Sequence, residues 1–340
     1  MGDTVLVTGG TGYIGSHTVV ELQQKGYEVI IIDNLSNSYE NVVDSIEKIT
    51  GIRPGFEQID LCDKLSLDDF FNKHQNITSA IHFAALKAVG ESVEKPLLYY
   101  YNNITGLINL LICMIKYKVN NLVFSSSCTV YGQPEILPVS EKSPVLKPLS
   151  PYGNTKQIAE EIITDTSGKS KIKGILLRYF NPIGAHSSAL IGELPIGVPN
   201  NLVPFITQTA IGKRECLNVF GNDYNTPDGT CIRDYIHVVD IAKAHVIALE
   251  RLLSEKNESG IEIFNLGTGK GNSVLEIINT YQKVTCNKLN YRIVPRRPGD
   301  IEKIYADTAL ANNVLGWKAE KTLEDMILSA WNWELSLLNN

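Results

Sequence analysis

"VTGGTGYIG" (residues 7–15) ends a short β-branched run, "TVLVTGG", and opens a segment of helical periodicity, "TGYIGSHTVVELQQKG", that stops at Gly26. Glycines at 9, 10, 12 and 15 satisfy GxGxxG from Gly10 and GxxGxxG from Gly9. Between a strand and a helix, they allow a tight turn. They also let backbone N–H groups approach a pyrophosphate at the positive end of the helix. The next strand pattern, "YEVIIID", ends on Asp33, 18 residues after Gly15. A carboxylate there accepts from an adenosine ribose 2′-hydroxyl and repels a 2′-phosphate. No arginine stands beside it, so the expected cofactor is NAD rather than NADP.

Outward from this loop, strand and helix patterns alternate. "SYENVVDSIEKIT" and "KLSLDDFFNKH" read as helices, and "PGFEQID", "TSAIHFAAL", "NNLVFSSS" and "IKGILLRYF" as strands. One long helix is expected over about 96–118. Short apolar runs at this spacing predict an α/β fold, a doubly wound parallel sheet of Rossmann type with helices on both faces. After "NPIGA" the character changes: residues 186–232 are rich in Gly, Pro and Asn and read as loops and short elements. "DYIHVVDIAKAHVIALERLL" reads as helix and "IEIFNLGTG" as strand. The expected organisation is a NAD-binding domain over 1–183, to which the segment about 235–267 can return. A smaller mixed α/β substrate domain is expected over 184–340.

The 340 residues, 44% hydrophobic and 20% charged, suit a globular protein with a large core. A net charge of -6 disfavours nucleic acid or an anionic membrane surface as partner. The N-terminus lacks a basic region followed by a long apolar stretch, and no uninterrupted apolar run approaches the ~18 residues of a membrane span. A cytoplasmic protein is therefore expected. The most apolar helical stretch, "ITGLINLLICMIKYKV", reads as a buried or interface helix. Six cysteines (62, 113, 128, 216, 231, 286) include no CxxC pair, and six histidines form no HExxH-like pair. No metal is expected, and the thiols read as reduced.

"SPYGNTKQIAEEII" (150–163) carries the candidate chemistry. Ser150 suits an N-cap and Pro151 the first helical position. Tyr152 and Lys156, four residues apart, then share one helix face. A free phenol has a pKa of about 10. A positive charge ~5 Å away at an effective dielectric of ~20 contributes about 3 kcal/mol, roughly two pKa units. Lys156 can thus make Tyr152 a base, and the positive nicotinamide of NAD⁺ would add to the effect. Ser127, just past "LVFSS", lies at the carboxyl end of a predicted strand, where open α/β sheets bind ligands.

Together, "TGGTGYIG", "SSSCTVYG" and Tyr152-x-x-x-Lys156 resemble the extended short-chain dehydrogenase/reductase family. "HFAALKAVGES", "LRYFNPIGAH", "GVPNNLVPF", "FGNDYNTPDGT", "IRDYIHVVD" and "RRPGD" resemble its UDP-galactose 4-epimerase branch, in the same order over nearly the whole chain. The related 4,6-dehydratases carry an Asp-Glu pair just after the serine region. Here the stretch reads Ser127-Cys128-Thr129-Val130, without a carboxylate.

The resemblance implies an NAD-dependent isomerase of galactose metabolism, usually a homodimer, that interconverts UDP-galactose and UDP-glucose through a 4-keto sugar. It implies Tyr152, Lys156 and Ser127 as catalytic residues. In the glycine loop it implies cofactor contacts at Gly9, Gly12, Tyr13, Ile14 and Gly15, and after the second strand at Asp33, Asn34, Asn37 and Ser38. Further along, Asp60 and Leu61, then Phe83, Ala84, Ala85 and Lys87, then Asn102, Ser125 and Tyr179 complete that set, with Tyr152 and Lys156 reaching the nicotinamide ribose. Substrate contacts fall on Lys87, Ser127 and Tyr152, on Phe180 and Asn181, and on Asn200, Asn201 and Leu202. Asn218, Val219 and Phe220 lie in the matched uracil-contact segment. Arg233 and Arg297 suit the second diphosphate, since guanidinium binds two phosphate oxygens. Tyr235, Asp300 and Ile304 close the set. "NPIGAH" and "GVPNN" also read as tight turns. Ile304 occupies the position that limits the sugar pocket, where tyrosine narrows it and a small residue admits an N-acetyl group. Isoleucine is intermediate, leaving UDP-N-acetylglucosamine 4-epimerase or dual specificity open. The non-enzymatic alternative is an NAD-binding redox sensor.

Overall fold

The computed structural model describes residues 3–297 and 300–338. Pro298 and Gly299 of the "RRPGD" motif lie outside the described residues, as do the outermost two residues at each end of the chain.

Among the described residues, seven parallel strands form one sheet in the order β10-β6-β5-β4-β1-β2-β3. They are β1 (Thr4–Thr8), β2 (Glu28–Asp33), β3 (Gly55–Gln58), β4 (Ile77–His82), β5 (Asn121–Ser127), β6 (Lys173–Tyr179) and β10 (Ile261–Leu266). The central strands are buried end to end because helices cover both faces, so they read as unbroken apolar runs rather than alternating ones. Two apolar cores result, one on each face. Val5, Val7, Ile31 and Ile175 belong to the first, and Leu6, Ile30, Leu122 and Leu176 to the second.

A smaller set of strands lies beyond β6. β7 (Asn181–Ile183), β11 (Gly271–Ser273) and β13 (Lys303–Ile304) each pair with β9 (Ile232–His237), and β8 (Leu217–Phe220) pairs with β12 (Tyr291–Val294). Asp234 is the keystone. Its buried carboxylate accepts from Thr268 N (2.8 Å), Thr268 Oγ1 (2.6 Å), Gly269 N (3.1 Å) and Ala306 N (3.1 Å). One side chain thereby ties β9 to the turn after β10 and to the segment after β13.

Two elements differ from the sequence reading. The helix expected over 96–118 is two α-helical pieces, Pro96–Tyr100 and Gly106–Tyr117, joined by a π turn at Tyr101–Thr105. Within that turn Asn103 reaches outward to Leu86 N, Leu86 O and Thr155 Oγ1 at 2.9–3.0 Å. The stretch is apolar at most positions, so the phase shift of one extra residue does not stand out in it. By length and composition Pro96–Tyr117, 22 residues at mean hydropathy 1.2, could cross a membrane, although the run is interrupted by polar residues. Half of its most apolar window is buried in the fold. The residues "DYIH" are strand, not helix: they form most of β9, and the helix starts only at Val238. Four residues are too few to express a helical period, and Tyr and Ile favour strand. That helix packs on β5 and β6, and β10 adds to the β6 edge.

Candidate active site

The glycine loop is locked on two sides. Gly9 has φ +71°, and a Cβ there would lie 2.7 Å from Ala84 N in the segment after β4. A Cβ on Gly15 would overlap the Gly9 carbonyl oxygen. Backbone therefore packs on backbone, leaving room for a ligand to approach the main chain. Gly12, at the N-cap of Tyr13–Gln24, has no side chain to cap the first turn. The amides there lack a side-chain acceptor, as an anion-binding helix start requires. Asp33, at the end of β2, accepts from Thr11 N (3.3 Å), Leu35 N (3.0 Å) and Ser38 Oγ (3.1 Å). Thr11 Oγ1 and Ser38 Oγ lie 2.7 Å apart, closing the ring. The carboxylate is thus held still at the mouth of the cradle with lone pairs to spare. These features fit a dinucleotide.

The other expected cofactor residues collect along the carboxyl ends of neighbouring strands. Asn34 Nδ2 donates to Asp60 Oδ2 (3.2 Å), with Asn37 on the same loop and Leu61 beside Asp60. Phe83 and Ala84 donate their N–H groups to Thr8 O at 3.0 and 3.2 Å. Ala85 and Lys87 follow. Asn102 sits in the π turn and donates to Asn103 Oδ1 (2.9 Å). Ser125, two residues before the end of β5, and Tyr179, the last residue of β6, share a short hydroxyl–hydroxyl bond. Tyr13 Oη donates to Gly184 O (2.5 Å), and Ile14 packs against the first core.

Ser150 Oγ accepts from Gly153 N (3.2 Å) and Pro151 occupies the first turn, so the helix Pro151–Ser167 begins where its caps place it. Lys156 is buried; its Nζ donates to Ser125 O (2.6 Å) and stands 4.8 Å over the Phe124 ring. Burial lowers its pKa to about 8, and Glu160, one turn on, opposes that fall. The ammonium still predominates at neutral pH. Ser127 caps the short turn Cys128–Tyr131, accepting from Thr129 N (3.2 Å) and Thr129 Oγ1 (3.0 Å). Its own hydrogen stays free to donate.

The Tyr152 phenol departs from expectation. Burial and, next, Tyr179 push it well above the ordinary phenol range, and Ser127 pulls it down. Lys156 spends its ammonium on the Ser125 carbonyl. A positive charge brought close to the phenol, such as that of an oxidised nicotinamide, would lower it.

On the substrate side, Arg297 Nη2 donates to Asp300 Oδ1 (2.7 Å), Arg233 Nη2 lies 3.9 Å from the same oxygen, and Arg297 stands 5.4 Å over Phe220. Two arginines, one carboxylate and an aromatic face form one cluster. Asn181 lies on β7 opposite Tyr235 on β9. Asn200, Asn201 and Leu202 enter the helix Leu202–Ala210. Four expected contacts, Phe180 among them, lie in cores instead. Val219 and Tyr235 belong to the smaller apolar core, and Ile304, 3% exposed, packs with Val130, Tyr131 and Phe180. Val219 can offer a ligand only its main chain, and Ile304 acts on any pocket from beneath. Asn218 is engaged by Arg292 Nε (2.8 Å).

Sequence reasoning passed over Thr11, Thr129, Asn103 and the buried pair Glu160–Arg178. Arg178 Nε and Nη2 donate to Glu160 at 2.9 and 2.5 Å, and Ser126 Oγ adds a short bond to Glu160 Oε1. Arg178 Nη1 donates to Tyr131 Oη (3.0 Å), which donates to Asn265 Oδ1 (2.7 Å). The signal available was a charge inside each of two otherwise apolar patterns, "LLRYF" and "IAEEII". Among the described residues no group could hold a metal ion.

Fold and site together define an extended short-chain dehydrogenase/reductase. The family model described as GDP-mannose 4,6 dehydratase matches residues 6–329. A UDP-glucose 4-epimerase of Bacillus subtilis (strain 168) is 51% identical over 336 residues, covering 98% of each chain. The solved UDP-glucose-4-epimerase of Stenotrophomonas maltophila, with bound NAD and formylated UDP-arabinopyranose, superposes with TM-score 0.95 at 48% identity, covering 99% of each chain. That of Bifidobacterium longum, in complex with NAD+ and UDP, gives 0.93 at 46%, again over 99% of each chain. The chain belongs to the UDP-glucose 4-epimerase family within that class.

Proposed function

We infer that the protein is an NAD-dependent isomerase that interconverts UDP-galactose and UDP-glucose. The observation that carries this reading is the convergence of Ser127, Tyr152 and Lys156 above a dinucleotide cradle, next to a turn with no carboxylate for dehydration. NAD bound in the glycine cradle would supply hydride transfer, reversibly oxidising sugar C4 and restoring it with either configuration. Every other part falls to the chain. Tyr152 takes the proton of the 4-hydroxyl, and Ser127, whose oxygen is already filled by two donors from Thr129, gives its own hydrogen toward the phenol or the sugar O4. Lys156 fixes the positive charge beneath them. Arg233 and Arg297 face the sugar-nucleotide diphosphate, Phe220 the uracil, and Asp300 orients both arginines. Proton transfer by a positioned side chain contributes typically ~10²–10⁴-fold.

Incubation of the purified protein with UDP-galactose, without added NAD, should yield UDP-glucose. No conversion by NAD-loaded protein would overturn the reading in favour of a redox sensor. A parallel incubation with UDP-N-acetylgalactosamine measures how far buried Ile304 opens the pocket to an acetamido group. The assembly is a homodimer in this reading. Leu97, Tyr101, Ile108, Ile112 and Ile115, all on Pro96–Tyr117, leave an exposed apolar face that a second copy can cover. Light scattering at the mass of two chains is the expected result. Six unpaired thiols suit a reducing cytoplasm.

A further inference from the structure

Glu193 belongs to no motif used so far, yet it touches both halves of the site. Its Oε1 accepts from Lys87 Nζ (3.0 Å), in the segment after β4, and from Asn201 Nδ2 (2.6 Å), at the start of Leu202–Ala210. The post itself is rigid. Trp333 Nε1 donates to Glu193 O (2.9 Å), and a Cβ on neighbouring Gly192 would overlap the Trp333 ring. The carboxylate is only 10% exposed.

Two further facts show that this arrangement is not incidental. Asn201 has a preferred N-cap side chain at an N-cap position, yet it makes no capping bond and turns to Glu193 instead. A fixed carboxylate beside a site for two diphosphates also opposes anion binding, unless its effect on its neighbours outweighs the repulsion. Lys87 is a long side chain with three donors, half exposed, and 5.6 Å over the Tyr13 ring. Committing one donor to Glu193 aims the other two and removes rotamer freedom before the ligand arrives.

We propose that Glu193 is a positioning residue that presets Lys87 and Asn201 as one donor pair for the UDP-sugar, joining the cofactor side of the site to the substrate side. This rests on the epimerase reading, but the test compares variants with an active wild type, so the two can fail separately. If wild type does not convert UDP-galactose, the reading fails; if it does, the variants judge the proposal.

The experiment measures kcat and KM for UDP-galactose, and Kd for UDP, on NAD-loaded Glu193→Ala and Glu193→Gln. The alanine variant should raise KM and Kd about tenfold, equivalent to 1.4 kcal/mol, with kcat changed less than about threefold. Glutamine, which keeps an acceptor of the same shape without the charge, should fall between alanine and wild type. It also serves if the alanine variant does not fold. Lys87→Met should cost less in the Glu193→Ala background than in wild type, because both act through the same ammonium. KM and Kd within twofold of wild type in both variants would overturn the proposal. So would a loss confined to kcat, or additive effects with Lys87→Met.

Discussion

Replacing Glu160 with glutamine should destabilise the fold far more than a helix-surface change. The pair it forms with Arg178 is nearly sealed, with side chains 9% and 4% exposed. Arg178 makes two bonds to the carboxylate, and Ser126 adds a third donor. Glutamine keeps the shape but leaves the guanidinium, whose pKa the partnership holds above its ordinary value, without a counter-charge. Removing one partner of a buried pair typically costs ~3–5 kcal/mol. Unfolding entropy near 2.1 cal/mol/K per residue, over a chain of this length, converts that to roughly 4–7 °C in Tm. Scanning calorimetry on matched cofactor-loaded preparations reads the shift. A double variant, Glu160→Leu with Arg178→Met, should regain much of it, because an apolar pair of similar volume removes the stranded charge. The kinetics should change as well: losing Glu160 removes the group that raises Lys156, so the limb of the pH–rate profile belonging to that lysine should move to lower pH. A Glu160→Gln protein melting within about 1 °C of wild type would refute the reasoning.

Tyr152→Phe, folded and NAD-loaded, should lose about 10²–10⁴-fold in kcat for UDP-galactose, since the proton acceptor is gone while the cradle is untouched; steady-state kinetics with spectroscopic NAD quantitation checks it. Lys156→Met should abolish activity yet stabilise the cofactor-free fold at pH 7 by up to about 3 kcal/mol, less whatever its bond to Ser125 O contributes. The sign follows from a folded pKa of about 8 against the ordinary lysine value of 10.5: the charged form is penalised fully below pH 8 and the penalty is relieved as pH rises toward 10.5. The Tm gap between variant and wild type should therefore close over that window, and a constant gap would contradict the burial argument. Arg297→Ala should weaken UDP binding by roughly 1.5–3 kcal/mol, the worth of a charge-assisted bond, with NAD content unchanged by calorimetric titration and absorbance.

Geometry that depends on short sequence spacing was legible. The glycines, Asp33 and the Tyr152–Lys156 turn each announce themselves within twenty residues, because the helix period and the strand-to-helix turn fix their geometry locally. What escaped depends on parity and on distant partners. Val219 and Ile304 sit on short strands where a one-residue phase decides between pocket and core, and two to four residues do not define that phase. Glu160 and Arg178 are 18 positions apart, and only the packing of a helix on β5 and β6 brings them together. Glu193 lies 106 residues from Lys87, in a stretch that reads as loop. The Tyr152 phenol shows the other limit: helix spacing gives the position of the lysine, but that its ammonium meets a main-chain oxygen depends on the strand beneath it.

Asp234 gathers four donors from two separate stretches of chain onto the strand that also carries Arg233. A guest whose phosphates met Arg233 would therefore be held by a strand tied to its neighbours on two sides. Turning the hexose over would then be a pivot of the sugar, with the strand behind it staying put. The turnover rate of such an enzyme would reflect how freely a ring can swing on its tether, not how fast two halves of a protein can part and meet again.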